Sequence, residues 1–205
     1  MGNDLFRRDA QTSSHDEKRT YLLETALELL HCGGSDAFGM RAVARMAGVS
    51  LRTVQHYFPT KQALFASAIS RLLQRFRKDG RPVRELVAEK RHQEALECWA
   101  ESCLREGVLG IKGELFSEAL NIARHDSDTK LALFELHKSE IEFATWLFQQ
   151  CNGNLQDQVA HQRAVTAYAL LSGLQPMVFL GLYKDSALED ICRNTVSQVV
   201  RLAMD

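Results

Sequence analysis

Arg52 and Gln55 stand three residues apart in the run Leu51-Arg52-Thr53-Val54-Gln55-His56-Tyr57-Phe58, and that spacing sets both on one face of a helix. Arginine can meet guanine N7 and O6 with two donors, and glutamine can match adenine N6 and N7 with a donor and an acceptor. Thr53, Tyr57 and Lys61 add a hydroxyl, a phenol and a cation, the groups that hold phosphate oxygens. His56 and Arg41 are two further side chains able to donate to a nucleic acid. This is the chemistry of a short helix laid in a major groove. The motifs of catalysis are missing: the chain has no GxSxG, no HExxH and no paired metal-ligand motif, so no enzyme activity, catalytic residue or metal ligand is assigned. Glu28 and His31 have the Glu-x-x-His spacing of di-iron bundles, and Glu89 and His92 repeat it, but such sites also need further carboxylates from facing helices, so the pairs read as surface neighbours. No cofactor is expected.

The elements that must position these side chains are punctuated locally. Arg41–Ala47 carries Val43, Ala44 and Ala47, the apolar pattern of a half-buried helix. Gly48 can end that helix in the left-handed conformation, and Ser50 can cap the next one. Pro59 lacks an N–H and disfavours helix at Phe58, so the helix opened by Ser50 stops within about two turns. Thr60 then caps a longer helix holding Ala63, Leu64, Phe65, Ala68 and Ile69. Val54 and Phe58 fall on one side of the short helix, with Leu51, Arg52, Gln55 and His56 on the other. Two short helices around Ala47-Gly48-Val49-Ser50 read as a helix-turn-helix.

The run Val43-Ala44-Arg45-Met46-Ala47-Gly48-Val49-Ser50, continued by Thr53, Tyr57, Phe58, Lys61 and Leu64, resembles the DNA-binding domain of the tetracycline-repressor (TetR) family of bacterial transcription regulators. The resemblance covers about Arg19 to Ala68, roughly a quarter of the chain. It implies that Thr53, Tyr57 and Lys61 contact phosphates, while Arg52 and Gln55 reach base edges. Arg52 replaces the family's common glycine, Gln55 its common tyrosine, and Met40 stands where a phosphate-holding threonine is often found. These departures touch the operator sequence rather than the fold.

The chain's net charge of −1 hides an asymmetry. Residues 1–93 hold 16 Lys+Arg and 10 Asp+Glu, a balance of +6, while residues 94–205 hold 9 and 16, a balance of −7. A basic front on an acidic back suits a DNA-binding head on an independent body. Residues 1–18 lack the apolar core of a signal peptide and read as a mobile arm in which Arg7 and Arg8 are solvated. Residues 19–78 form the head, and residues 79–205 a sensing and dimerisation domain. Ala164–Tyr183 is apolar by window but contains Thr166, Ser172, Gln175 and Pro176, so a buried helix is expected, with no membrane partner and a cytoplasmic location. Cys32, Cys98, Cys103, Cys151 and Cys192 form no CxxC pair, as suits reduced thiols.

The body is expected to be helical throughout, giving an all-α fold: a three-helix head joined to a larger C-terminal bundle that dimerises. Its helices are expected over Val83–Glu106, Glu114–His125, Ser127–Cys151, Leu155–Tyr183 and Ala187–Met204. Surplus apolar residues on the last two (Leu170, Leu171, Leu174, Met177, Val178 and Leu182; Ile191, Val196, Val199, Val200 and Leu202) imply a homodimer through a four-helix interface, and hence a palindromic operator. The family resemblance further implies a small-molecule effector among the middle helices. Trp99, Phe116, Phe134 and Trp146, with Asn121, His137 and Gln175 as polar anchors, are the candidates for its pocket. Repression relieved by such an effector is the expected behaviour. A thiol-based redox regulator on the same fold and a helical scaffold that does not bind DNA are the alternatives.

Overall fold

A computed structural model describes residues 4–107, 119–183 and 185–205, with side chains described outside 4–13, 31–37, 72–79, 106–107, 179 and 185. Among the described residues every regular element is an α-helix, as the sequence patterns require. The helices are α1 (Asp4–Ala37), α2 (Met40–Met46), α3 (Leu51–Tyr57), α4 (Lys61–Asp79), α5 (Arg81–Ala88), α6 (His92–Gly107), α7 (Ser127–Cys151), α8 (Asp157–Phe179) and α9 (Asp185–Met204). The chain divides into two compact units: residues 1–72 with 118–132, and residues 73–117 with 133–205.

In the first unit α1 buries Leu22, Leu23, Ala26, Leu27 and Leu30, one stripe at helical spacing. Val43 and Ala44 of α2, Val54 of α3, Phe58, and Leu64, Phe65, Ala68 and Ile69 of α4 are buried in the same unit. Phe38 meets Phe65 edge to face at 5.5 Å, and Glu24 of α1 pairs with Arg71 Nε of α4 at 2.9 Å. The helical backbone of α1 reaches back to Asp4, so residues 4–18, expected as an arm outside the fold, are continuous with the first helix. Residues 118–132 group with this unit rather than with the body, which differs from a single boundary near residue 78.

The second unit packs Val83, Ala95, Leu96, Trp99, Ala100, Leu104, Ala144, Leu147, Phe148, Ala164, Ala167, Leu171, Val196, Val199 and Ala203 into one core. Small residues at 160, 164 and 167 line the buried stripe of α8 and let its neighbours approach closely. Trp99 meets Phe148 edge to face at 6.0 Å.

The single helix expected over Val83–Glu106 is two. Lys90 takes a left-handed φ of 61°, Lys90 N–H donates to Val87 O, and Arg91 N–H donates to Leu86 O, which closes α5 in a Schellman turn without glycine. Arg91 then bridges Glu89 and Glu94 across the break. The helix expected to run to Tyr183 stops at Phe179, because Gly181 adopts φ 65° and Leu182 N–H turns back to Met177 O. Of the segment expected as helix over Glu114–His125, residues 119–123 are helical and the earlier part lies outside the described residues.

Candidate nucleic-acid interface

The local chemistry between α2 and α3 fixes the pose of the recognition residues. Gly48 takes φ 66°; its N–H donates to Arg45 O at 3.2 Å, and Val49 N–H donates to Ala44 O at 2.9 Å, closing α2. Any side chain at Gly48 would meet open space but a strained backbone. Ser50 follows in extended conformation and its Oγ accepts from Thr53 N–H at 3.0 Å. Ser50 Oγ also lies 2.8 Å from Thr53 Oγ1, so the two hydroxyls share a hydrogen bond. At the far end Phe58 N–H donates to Val54 O at 2.9 Å before Pro59 ends the helix.

This frame holds Val54 and Phe58 at 0% and 1% exposure, and leaves Arg52, Gln55 and His56 exposed on the other side of α3. Thr53 and Tyr57 are half-buried at its margin. Thr60 Oγ1 accepts from Ala63 N–H at 3.0 Å, capping α4 at its first turn, where Lys61 sits exposed with its ammonium 5.5 Å from the Phe38 ring centre. A cation on the positive end of a 19-residue helix is suited to a phosphate oxygen. Arg41 is exposed in the first turn of α2. All seven residues selected from the sequence therefore lie in one unit, and α3 carries five of them.

One residue of this surface escaped sequence reasoning. The His15 ring of α1 lies 4.6 Å from Tyr57 and 6.0 Å from His56. A histidine in a charged, apolar-poor stretch gives no local sign of a contact more than 40 positions away.

The candidates for a pocket fall into separate environments. Trp99 is 4% exposed in the core of the second unit, and its Nε1–H has no hydrogen-bond partner among the described residues. Trp146 is half-buried beside Phe143, and the Arg84 guanidinium lies over both rings at 4.5 and 5.1 Å. His137 Nδ1 is 2.7 Å from the Tyr168 hydroxyl. Burial, with the Glu140 charge nearby, holds the Tyr168 phenol well above its ordinary range, so it remains neutral. Gln175 is half-buried and has a partner. Phe134 is 59% exposed, Asn121 is exposed in the segment that groups with the head, and Phe116 lies outside the described residues. A groove of about 630 Å³ between α6 and α9 is lined by Glu97, Glu101, Arg105, Glu189, Cys192 and Arg193 among others, none of which was a pocket candidate from the sequence. No group of three or more His, Cys, Asp or Glu able to hold a metal occurs among the described residues. Nor, among them, is any helix long and apolar enough to cross a membrane.

A capped helix-turn-helix with an outward-facing Arg/Gln pair, in a chain whose described regular elements are all helices, has the form of a DNA-binding head. Residues 22–68 match the family model described as bacterial regulatory proteins, tetR family. The chain is 37% identical over 77 residues to the HTH-type transcriptional repressor KstR of Rhodococcus jostii, which is 38% of this chain and 36% of that protein. It is 41% identical over 71 residues to the KstR of Mycolicibacterium smegmatis, 35% of each. The chain thus spans about a third of the length of the curated relatives it matches. Among solved structures, reduced NemR of E. coli is similar in fold, with a TM-score of 0.70 at 17% identity over 90% of this chain and 96% of that one. So is a transcriptional regulator of Saccharomonospora viridis in complex with choline, with a TM-score of 0.66 at 19% identity over 88% and 94%.

Proposed function

We propose that this protein is a dimeric repressor that binds a palindromic operator through α3 and is released by a small-molecule effector bound in its second unit. The observation that carries the reading is the outward exposure of Arg52 and Gln55 on a helix whose opposite face, Val54 and Phe58, is fully buried. Neither side chain serves the packing of the head, so both are available to a partner outside the chain.

The dimer reading rests on α8. Val165, Leu170, Met177 and Leu180 are 39–68% exposed, with Ala169 and Gly173 also exposed between them. An apolar stripe with small residues at its centre suits close self-packing of a helix across a two-fold axis. The apolar residues of α9 are less available than the sequence implies, because Val196 and Val199 are buried within the protein's own core and Ile191, Val200 and Leu202 are half-buried. In this reading α8 dominates the interface and α9 lies at its edge.

The effector reading is supported by the buried Trp99 indole N–H, which has no partner among the described residues and which a ligand acceptor would satisfy. Similar folds have been solved with choline and, in Bacillus subtilis FadR, with stearoyl-CoA. Release then follows from differential affinity for two head spacings, typically about 1–3 kcal/mol. A thiol switch gains little from Cys151, whose burial pushes its thiol up to about 11, or from Cys192, raised for the same reason. A regulator of this kind works in the compartment that holds the DNA.

Selection from a library of random duplexes tests the reading. Recovery of a two-fold symmetric motif supports it; recovery of no motif at low or moderate salt would count for the scaffold, and a motif recovered only under reducing conditions would count for the thiol switch.

A further inference from the structure

His15 lies before the segment that matches the family model, and nothing in the recognition helix requires it. Successive turns of α1 nonetheless run in register along the two helices that follow the turn. His15 stacks on Tyr57 at 4.6 Å and approaches His56 at 6.0 Å. Four residues on, the Arg19 guanidinium covers the Phe58 ring at 5.2 Å and donates to Ser67 Oγ at 3.3 Å. Glu24 then pairs with Arg71 at 2.9 Å. This register brings His15 to the side of α3 that carries His56, with its own side chain 52% exposed. His56 and Tyr57 are themselves 5.2 Å apart, so three rings form one cluster at the margin of the base-reading face.

We propose that His15 is part of the DNA interface, where its imidazolium gives a proton-dependent phosphate contact beside Tyr57. The proposal rests on the DNA-binding reading and extends the interface onto α1. A protonated imidazole is a cation with two N–H donors, and stacking against the phenol limits the directions in which the ring can point. On its own helix Asp16 places Oδ1 3.9 Å from Nδ1 with a side chain 82% exposed, so this pair is weak, while the cations Lys18 and Arg19 stand one turn on, Arg19 being engaged with Phe58 and Ser67. From α3 the facing groups are His56 and Tyr57, and α3 contains no carboxylate to compete with phosphate. Because phosphate favours the charged ring, binding takes up protons. Affinity therefore strengthens as pH falls through the imidazole range and weakens as it rises.

The test is fluorescence anisotropy of the full chain on a duplex selected by the wild type, at fixed ionic strength, between about pH 6 and about pH 8. The wild type is expected to bind up to about fivefold more tightly per head at the acid end through this contact, the scale of an exposed ion pair. His15→Gln should lose that share, and at the acid end its salt slope should be shallower by up to about 0.9 per head. His15→Lys should bind tightly at both ends, which separates charge from ring shape. If His15→Gln keeps the wild-type pH curve and salt slope, His15 is outside the interface. If the pH dependence survives in His15→Gln and vanishes in His56→Gln, the proton belongs to His56 and the proposal falls. Failure of the wild type to select any duplex would instead remove the DNA-binding reading beneath it.

Discussion

Ser50→Ala is the perturbation that most cleanly isolates the cap on which α3 depends. The Ser50 hydroxyl accepts from Thr53 N–H at 3.0 Å and pairs with Thr53 Oγ1 at 2.8 Å. The helix it opens has seven residues, so its free first-turn amides are a large share of its backbone donors. Losing an N-cap hydroxyl costs about 1 kcal/mol. The Thr53 hydroxyl, exposed at that margin, exchanges its partner for water and adds little. A loss of that size lowers the melting temperature by roughly 2–4 °C for a chain of this length melting as one unit. If the cost falls wholly on α3 and is recovered when DNA orders it, affinity drops about fivefold, since about 1.4 kcal/mol is tenfold. Ser50→Asp separates the two effects. Its carboxylate keeps the cap and the melting temperature, yet repels phosphate and weakens binding. Ser50→Gly should lie close to wild type in stability, a few tenths of a kcal/mol below it. Thermal melts followed by circular dichroism, with anisotropy on a selected duplex, check the order. An alanine variant equal to wild type in both would refute the role given to the cap.

Four further outcomes follow from the same geometry. Arg52→Ala should relax base preference at one position of each half-site, by about 1–3 kcal/mol, in a repeated selection. Lys61→Ala should weaken binding to all duplexes alike and reduce the salt slope by about 0.9 per head; an altered motif would contradict a phosphate role. Leu170→Glu, which puts a charge in the exposed stripe of α8, should shift sedimentation toward monomer and cost affinity for a two-half-site duplex while leaving the helix content unchanged. Cys151, with its thiol raised to about 11 by burial, is ionised to a negligible extent near neutrality and becomes reactive only as pH climbs toward that value; mass spectrometry of partial alkylation should find it labelled slowly at neutral pH and faster in alkali.

The head was legible because its signals are local. Gly48, Ser50, Pro59 and Thr60 each act within four residues, and each makes or ends a helix where its chemistry requires. The break at Lys90 was not legible, because the left-handed residue that closes α5 is a lysine held by backbone bonds to Val87 and Leu86 rather than a glycine. Pro176 is accommodated inside α8, and the helix is ended instead by Gly181 five residues later. Apolar counting found the surplus on α8 but overstated that on α9, since residues of one helix give no measure of how much of it the protein's own core consumes. The contacts of His15 with Tyr57 and of His137 with Tyr168 join residues 42 and 31 positions apart, and only folding brings them together.

The central claim, that α3 reads base edges in the major groove, is tested most directly by methylation interference on a selected duplex. Dimethyl sulfate marks guanine N7 in the major groove and adenine N3 in the minor groove. Interference at guanine N7 in both half-sites, lost at one position of each when Arg52 is replaced by alanine, is the predicted result. Interference confined to adenine N3, or a pattern unchanged in the Arg52→Ala protein, would contradict it.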